Sequence, residues 1–246
     1  MSVLEFRNVS KVFSIEIGDY LVLDNINFKV EENEIVGIVG PSGSGKTTIL
    51  NIISKLLKPT TGEVIVSGQL GYMFQKDLLF EWRTIWKNLL LGLEITKQNT
   101  KERQEKIKER LEKYGLIDFI NNYPSELSGG MRQRIALIRT LATNPSLLLL
   151  DEPFSALDYQ TRINIVNDIH ATLKQEKLTS ILVTHDISEA ISMCDRIIIL
   201  STRPAKVKKE IKLNFDKKLS PLERRKESIF QDYFNEVWCL INESQE

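Results

Sequence analysis

The chain has 246 residues, 42% hydrophobic and 27% charged, and its 33 basic and 33 acidic side chains cancel. That length suits one large α/β domain with room for an inserted subdomain, and the balanced charge lacks the basic excess by which nucleic-acid binders meet phosphates. No stretch approaches the roughly 18–20 apolar residues of a bilayer-spanning helix, and Met1–Phe6 reads as strand rather than signal peptide, so any membrane role is expected to be borrowed from a partner.

Residues 3–9 and 21–30 read as β-strands around a looser segment, Ser14 to Tyr20. Ile35-Val36-Gly37-Ile38-Val39 is a continuous apolar run, as in a strand buried on both faces. Gly40-Pro41-Ser42-Gly43-Ser44-Gly45-Lys46-Thr47 follows at once, then the helix-like Thr48-Ile49-Leu50-Asn51-Ile52-Ile53. This is the G-x-x-x-x-G-K-[ST] pattern in its strand–turn–helix setting. Backbone N–H groups must converge on phosphate oxygens there, and glycine permits both positive φ and close approach. The helix that follows adds its positive N-terminal end. Lys46 is expected to reach the β- and γ-phosphates of a nucleotide, and the Thr47 hydroxyl to ligate Mg²⁺.

Residues 77–140 read as a helical subdomain inserted between strands. Lys101 to Lys113 is dense in Lys, Glu and Arg, with Ile107 and Leu111 four apart and Tyr114 three further on. One narrow apolar stripe and a wide solvated face result, and the alternating signs argue against a nucleic-acid patch. Leu127-Ser128-Gly129-Gly130 opens another helix, with Ser128 as N-cap and two glycines exposing backbone N–H groups. One chain thus carries two phosphate-type helix ends but a single P-loop. A nucleotide engages both if the second comes from another copy, which predicts a head-to-tail dimer with nucleotide at its interface.

Leu147-Leu148-Leu149-Leu150 is a second buried strand, ending in Asp151-Glu152. Carboxylates there need a cation or a proton to handle, and neighbours on a strand face opposite ways. Asp151 is assigned to Mg²⁺, directly or through water, and Glu152 to the attacking water as general base. Ser180-Ile181-Leu182-Val183 repeats the arrangement before Thr184-His185. Ligands on open α/β sheets bind outside the carboxyl ends of the strands. Three strands therefore deliver Gly40–Thr47, Asp151 with Glu152, and His185 to one edge, where His185 meets the γ-phosphate or the water. His170, in an amphipathic helix, reads as structural. A further strand spans Arg196 to Leu200, and Ser220-Pro221-Leu222-Glu223 has capping-box spacing ahead of a stripe of Phe230, Phe234, Val237 and Ile241. Cys194 and Cys239 match no metal or disulfide spacing and read as reduced, partly buried thiols.

In this order, Gly40–Thr47, Gln75, Leu127–Gly130, Leu147–Glu152, Ser155-Ala156-Leu157-Asp158 and His185 resemble the nucleotide-binding domain of ABC transporters, over about residues 3–202. The resemblance implies an α/β fold: a P-loop NTPase core with a mostly parallel sheet, an antiparallel β-subdomain and an inserted α-helical subdomain. It makes residues 1–246 one domain, with the ATP-binding core at 3–76 and 141–202, the helical subdomain with its signature at 77–140, and a C-terminal extension at 203–246. ATP and Mg²⁺ are the implied cofactors. Gln75 matches the glutamine that contacts Mg²⁺ and water and senses the membrane partner. Ser128, Gly129 and Gly130 match the signature that closes over the opposite subunit's γ-phosphate. Ser155 to Asp158 match the loop that speaks across the dimer, and His185 the switch histidine. Gly40, Pro41, Ser42, Gly43, Ser44, Gly45, Lys46, Thr47 and Thr48 form the nucleotide cradle. Phe13 matches the aromatic under adenine, with Tyr20 a rival because the segment after Phe13 is longer. Met131 departs from the usual Gln of the signature, a loss that backbone phosphate binding tolerates.

Gln75–Thr84, Asn88–Glu94 and Ser201-Thr202-Arg203-Pro204 resemble importers of nitrate, sulfonate and taurine, a group that also takes up pyrimidine precursors of thiamine; Glu81 departs from its usual proline. The implied function is ATP hydrolysis at the cytoplasmic face of the membrane. A homodimer around two ATP would drive two permease subunits, served indirectly by an extracytoplasmic binding protein. Trp82 and Trp86 read either as lining a groove for the permease or as packing residues. The rival reading is a soluble ABC ATPase acting on nucleic acid or ribosomes; its usual coiled-coil, zinc or second-ATPase insertions are not seen. A regulator without hydrolysis is disfavoured by the set Lys46, Glu152 and His185.

Overall fold

Alternating and continuous apolar patterns sort into two separate sheets. The computed structural model describes residues 2–15, 18–155 and 157–243. Strands β1 (Ser2–Ile15) and β2 (Gly18–Glu31) pair antiparallel, β3 (Ile35–Val39) leaves for the main sheet, and helix α1 (Lys46–Ile53) follows it. Strand β4 (Thr61–Val66) returns to β1, giving a three-stranded order β2-β1-β4. Then come β5 (Leu70–Met73), α2 (Ile85–Ile95), α3 (Lys101–Lys113), α4 (Gly129–Leu141), β6 (Leu147–Asp151), α5 (Tyr159–Gln175), β7 (Thr179–Val183), α6 (Ile187–Met193), β8 (Arg196–Leu200) and β9 (Val207–Lys212). The second sheet has the order β5-β6-β7-β3-β8-β9, parallel throughout except for β9.

Every residue of β3, β6 and β7 is buried because both faces of this sheet are covered. One face, with Val36, Ile38, Leu147, Leu149, Ile181 and Ile198, packs against α1 and the antiparallel sheet. The other, with Ile35, Val39, Leu148, Leu150, Leu182 and Ile197, packs against α4, α5 and α6. A third cluster gathers Leu89, Leu93, Ile107, Leu111, Ile135 and Ile138 from α2, α3 and α4. Ile107 and Leu111, the expected stripe of α3, are fully buried, each worth roughly 1.5–3 kcal/mol. Helix α4 serves two clusters at once, through Ala136, Leu137 and Leu141 on one side and Ile135 and Ile138 on the other. Its N-terminus is therefore fixed relative to both bodies.

Three sequence expectations change. The looser segment at Ser14–Tyr20 is largely strand: Phe13 pairs with Tyr20, Ser14 with Asp19 and Ile15 with Gly18, and the Ser14 hydroxyl donates to Asp19 at 2.7 Å. The tail holds two helices, α7 (Pro221–Arg224) with its capping box and α8 (Ser228–Asn242). Buried Arg224 donates to the carbonyls of Ser192 and Cys194 at 3.2 and 2.9 Å, pinning α7 to the end of α6. The chain turns before Phe230 and Val237 of α8 enter the core. Cys194 is buried as expected, but Cys239 is exposed. Among the described residues no helix is long and apolar enough to cross a membrane.

Candidate functional site

Strand β3 runs into the glycine loop, and Gly45 N-caps α1 with φ at 82° and no side-chain cap. A β-carbon at Gly45 would also lie 2.7 Å from Leu23 Cδ2, so both conformation and space demand glycine. No acidic residue occupies the first turn of α1, which leaves its positive end available to an anion. Lys46 is buried, and its ammonium donates to the carbonyls of Gly40 and Pro41 at 2.8 and 2.9 Å. Burial lowers its pKa, while the charges of Glu152 and Asp151 act in the opposite sense. The charge is thus drawn over the loop, where phosphate oxygens would meet it.

At the next strand end, Asp151 closes β6 and is buried, its Oδ2 accepting from the Tyr72 hydroxyl at 3.2 Å. Burial pushes its pKa up, which a bound cation would reverse. Glu152 lies beyond the strand, in the left-handed region with φ at 45°. This corrects the strand-alternation reading: a turn, not the pleat, separates the two carboxylates. The Glu152 N–H donates to Val183 O at 2.8 Å, holding a conformation that costs roughly 1–2 kcal/mol for a non-glycine residue. Its carboxylate accepts from Gln75 Nε2 at 3.4 Å and lies 3.1 Å from His185 Nδ1. Gln75 also donates to Ser155 Oγ at 3.2 Å, and that hydroxyl donates to Glu152 O at 3.1 Å. Glu152 is thereby fixed between Gln75 and His185.

A cavity of about 710 Å³ connects these groups; Phe13, Tyr20, Ser42–Thr48, Glu152, His185 and Arg203 line it. Both candidate aromatics are present, directly opposed on β1 and β2. The Lys11 ammonium lies 5.0 Å from the Phe13 ring centre, and the Arg203 guanidinium 4.9 Å from that of Tyr20. Gly40 and Pro41 lie behind the cavity as carbonyl acceptors for Lys46. Gln75 and Asp151 are joined to its edge through Glu152 and the strand ends. The Thr47 hydroxyl, the Asp151 carboxylate and the Gln75 amide oxygen are hard-oxygen donors, the chemistry that suits Mg²⁺ when phosphate and water complete the shell.

Ser128, Gly129, Gly130 and Asp158 do not line this cavity. Ser128 N-caps α4, its hydroxyl accepting from Met131 N at 3.4 Å, and Ser128 and Gly129 are exposed. A β-carbon on Gly130 would meet Thr161 Cγ2 at 2.7 Å, so the glycine lets α4 approach α5. Asp158 is exposed and caps α5, accepting from Thr161 N at 3.0 Å. Ala156, within the expected cross-dimer loop, lies outside the described residues. Helix α4 is nonetheless tied to the segments that follow Gln75 and Glu152. Arg132 donates twice to Asp77 at 2.9 and 3.1 Å, Arg139 donates to the carbonyls of Asp77 and Leu78, both at 2.7 Å, and Gln133 donates to the Pro153 carbonyl.

Of the two tryptophans, Trp82 is 75% exposed, whereas Trp86 is half-buried against the third cluster, in line with the packing alternative. Sequence reasoning missed Tyr72, Gln133 and Arg203. Arg203 was legible only as part of a subgroup resemblance, because nothing local says that the β8–β9 connection reaches the glycine loop.

Residues 23–155 match the family model described as ABC transporter. The chain is 44% identical, over 98% of its length and 96% of the relative's, to the uncharacterized ABC transporter ATP-binding protein YtlC of Bacillus subtilis. It is 41% identical, over 86% of both chains, to the aliphatic sulfonates import ATP-binding protein SsuB of Bacillus thuringiensis. Among solved structures, it is similar to the dimeric post-hydrolysis state of the ATP-binding cassette MJ0796 bound to ADP and Pi. The TM-score is 0.74 at 35% identity, covering 87% of this chain and 100% of that one.

Proposed function

The chain belongs to the ABC transporter ATP-binding proteins, and from that premise we propose that it is the ATPase subunit of an importer for a small oxyanion such as a sulfonate, taurine or nitrate, or for a thiamine-precursor-like molecule. The sulfonate-import relative and the resemblance of Gln75–Thr84 and Ser201–Pro204 support that choice of cargo. Residues 3–76 and 141–202 act as the ATP-binding core, 77–140 as the helical subdomain, and 203–246 as an extension. The third cluster supports the helical subdomain, whereas the extension adds β9 to the main sheet and packs Phe230 and Val237 into the core.

The observation that carries the chemistry is Glu152, held between Gln75 and His185 across a cavity from the phosphate loop. Lys46 and the N–H groups of Gly43–Thr48 bind the β- and γ-phosphates, and Glu152 accepts a proton from the attacking water as His185 and Gln75 orient it. Thr47, Asp151 and Gln75 would hold Mg²⁺, which would neutralise phosphate charge. Phe13 or Tyr20 carries the adenine ring, a contact worth about 1–3 kcal/mol. Ser128, Gly129 and Gly130 meet the γ-phosphate bound by a second copy, with Ser155 and Asp158 at the same interface. The dimeric state of the similar cassette supports that pairing. Two ATP molecules then join two copies, and hydrolysis lets them part. This cycle moves two permease subunits at the cytoplasmic face of the membrane, served by an extracytoplasmic binding protein and involving no nucleic acid.

The test is phosphate release from Mg-ATP by the purified chain, paired with copurification from detergent-solubilised membranes. Steady hydrolysis and an integral membrane partner are expected. Absence of hydrolysis would remove the enzymatic roles, and recovery with nucleic acid or ribosomes instead of a membrane protein would contradict the importer reading.

A further inference from the structure

Arg203 lies in the connection between β8 and β9, outside every nucleotide-binding motif assigned above, yet its side chain reaches the nucleotide cavity. Its Nε donates to Gly43 O at 2.7 Å and its Nη1 to the Tyr20 hydroxyl at 2.6 Å. The guanidinium also lies over the Tyr20 ring. A methyl group built on Gly43 would come within 2.8 Å of Nη2, so the fork lies directly against the backbone of the glycine loop. Gly43 has φ at 75°, and the loop it belongs to exists to present N–H groups to phosphate.

A guanidinium carries five N–H bonds in a rigid fork. The contacts to Gly43 and Tyr20 use two, which leaves three at the cavity wall. Only one other strong cation, Lys46, lines this cavity among the described residues, and it faces the carboxylate Glu152. A nucleoside triphosphate brings several negative charges into the space, and charge-assisted hydrogen bonds from a pre-placed fork are the strong kind. We propose that Arg203 is an additional phosphate-binding residue of the nucleotide site, donating its free N–H bonds to the polyphosphate while its other two hold the loop and Tyr20 in place. The inference rests on the nucleotide-site reading above.

The test measures dissociation constants for ATP, ADP and inorganic tripolyphosphate, each with Mg²⁺, on the full-length chain and on Arg203→Ala, Arg203→Gln and Arg203→Lys. Loss of Arg203 should weaken ATP and tripolyphosphate by the same factor, about tenfold or more for a charged hydrogen bond. Arg203→Lys should recover part of it. Arg203→Gln keeps N–H donors for Gly43 without the charge, so it carries the test if Arg203→Ala melts early, and the same loss is expected of it. Weakened ATP with unchanged tripolyphosphate would place the effect on the base through Tyr20 and overturn the proposal, as would unchanged binding of both. Wild-type chain that binds no Mg-ATP would instead break the underlying nucleotide-site reading.

Discussion

Two helix N-termini in this chain look alike in sequence and differ in surroundings. The α1 end is enclosed: Lys46 is buried over it, Glu152 and His185 face it, and aromatic side chains close one side. The α4 end has the same glycine richness and a Ser128 cap, but Ser128 lies outside the cavity that Glu152 lines, and Ser128 and Gly129 are exposed. The first is a nearly finished site, and the second is half of one. The lesson is that backbone anion donors become a site only when charge and catalytic groups converge on them, and in the proposed dimer those groups would reach α4 from another copy.

The largest expected effect lies at the finished end. Glu152→Gln should lower phosphate release by about 10²–10⁴-fold, the span of general-base catalysis, while ATP binding persists and ATP-bound dimer accumulates by size-exclusion chromatography. Normal turnover would remove Glu152 from its role. Two substitutions then sharpen the contrast. Lys46→Ala should weaken ATP binding by roughly tenfold or more, through loss of charged hydrogen bonds. Ser128→Arg should leave ATP binding to one chain unchanged but abolish ATP-dependent dimer formation and with it most hydrolysis. If Ser128→Arg weakened ATP binding to the isolated chain as Lys46→Ala does, the two ends would belong to one intramolecular site and the comparison would fail.

A further effect concerns stability alone and lies behind α4. His170 of α5 is buried, and burial, aided by the charges of Arg224 and Lys174, holds its pKa down to about 4. The folded state resists a proton that the unfolded chain accepts below about pH 6.5, so this contribution is present at neutral pH and is lost as pH falls from about 6.5 towards 4. It amounts to about 3 kcal/mol at most. Glu189, raised to about 7 mainly by burial, acts in the opposite sense over the same range. Thermal melts of wild type and His170→Gln across pH 4–7 should therefore diverge, the variant losing less on acidification. Parallel curves would show that His170 does not resist protonation.

What the sequence made legible follows burial. Strands β3, β6 and β7 announced themselves because a sheet covered on both faces favours continuous apolar runs. The edge strands β4 and β9 went unread because Thr61–Val66 is mostly exposed and Val207–Lys212 carries three lysines and a glutamate on a half-solvated edge. The phosphate loop and the acids at the end of β6 were readable since the chemistry dictates residue type and order locally. Arg203 and Tyr72 were not, because each enters the site from a distant segment. The break between α7 and α8 also escaped the pattern, since a long-range anchor at Arg224 causes it.

The central claim, that each ATP lies between the cradle of one copy and the α4 end of another, is most directly tested by cross-linking. Two tagged populations in the Glu152→Gln, Cys239→Ser background are mixed, one carrying Ser42→Cys and the other Ser128→Cys, and treated with a short bis-maleimide with and without Mg-ATP. The account predicts a cross-linked species joining the two tags, formed only with nucleotide. A link within one chain, made equally well in a double-cysteine monomer without ATP, would contradict it.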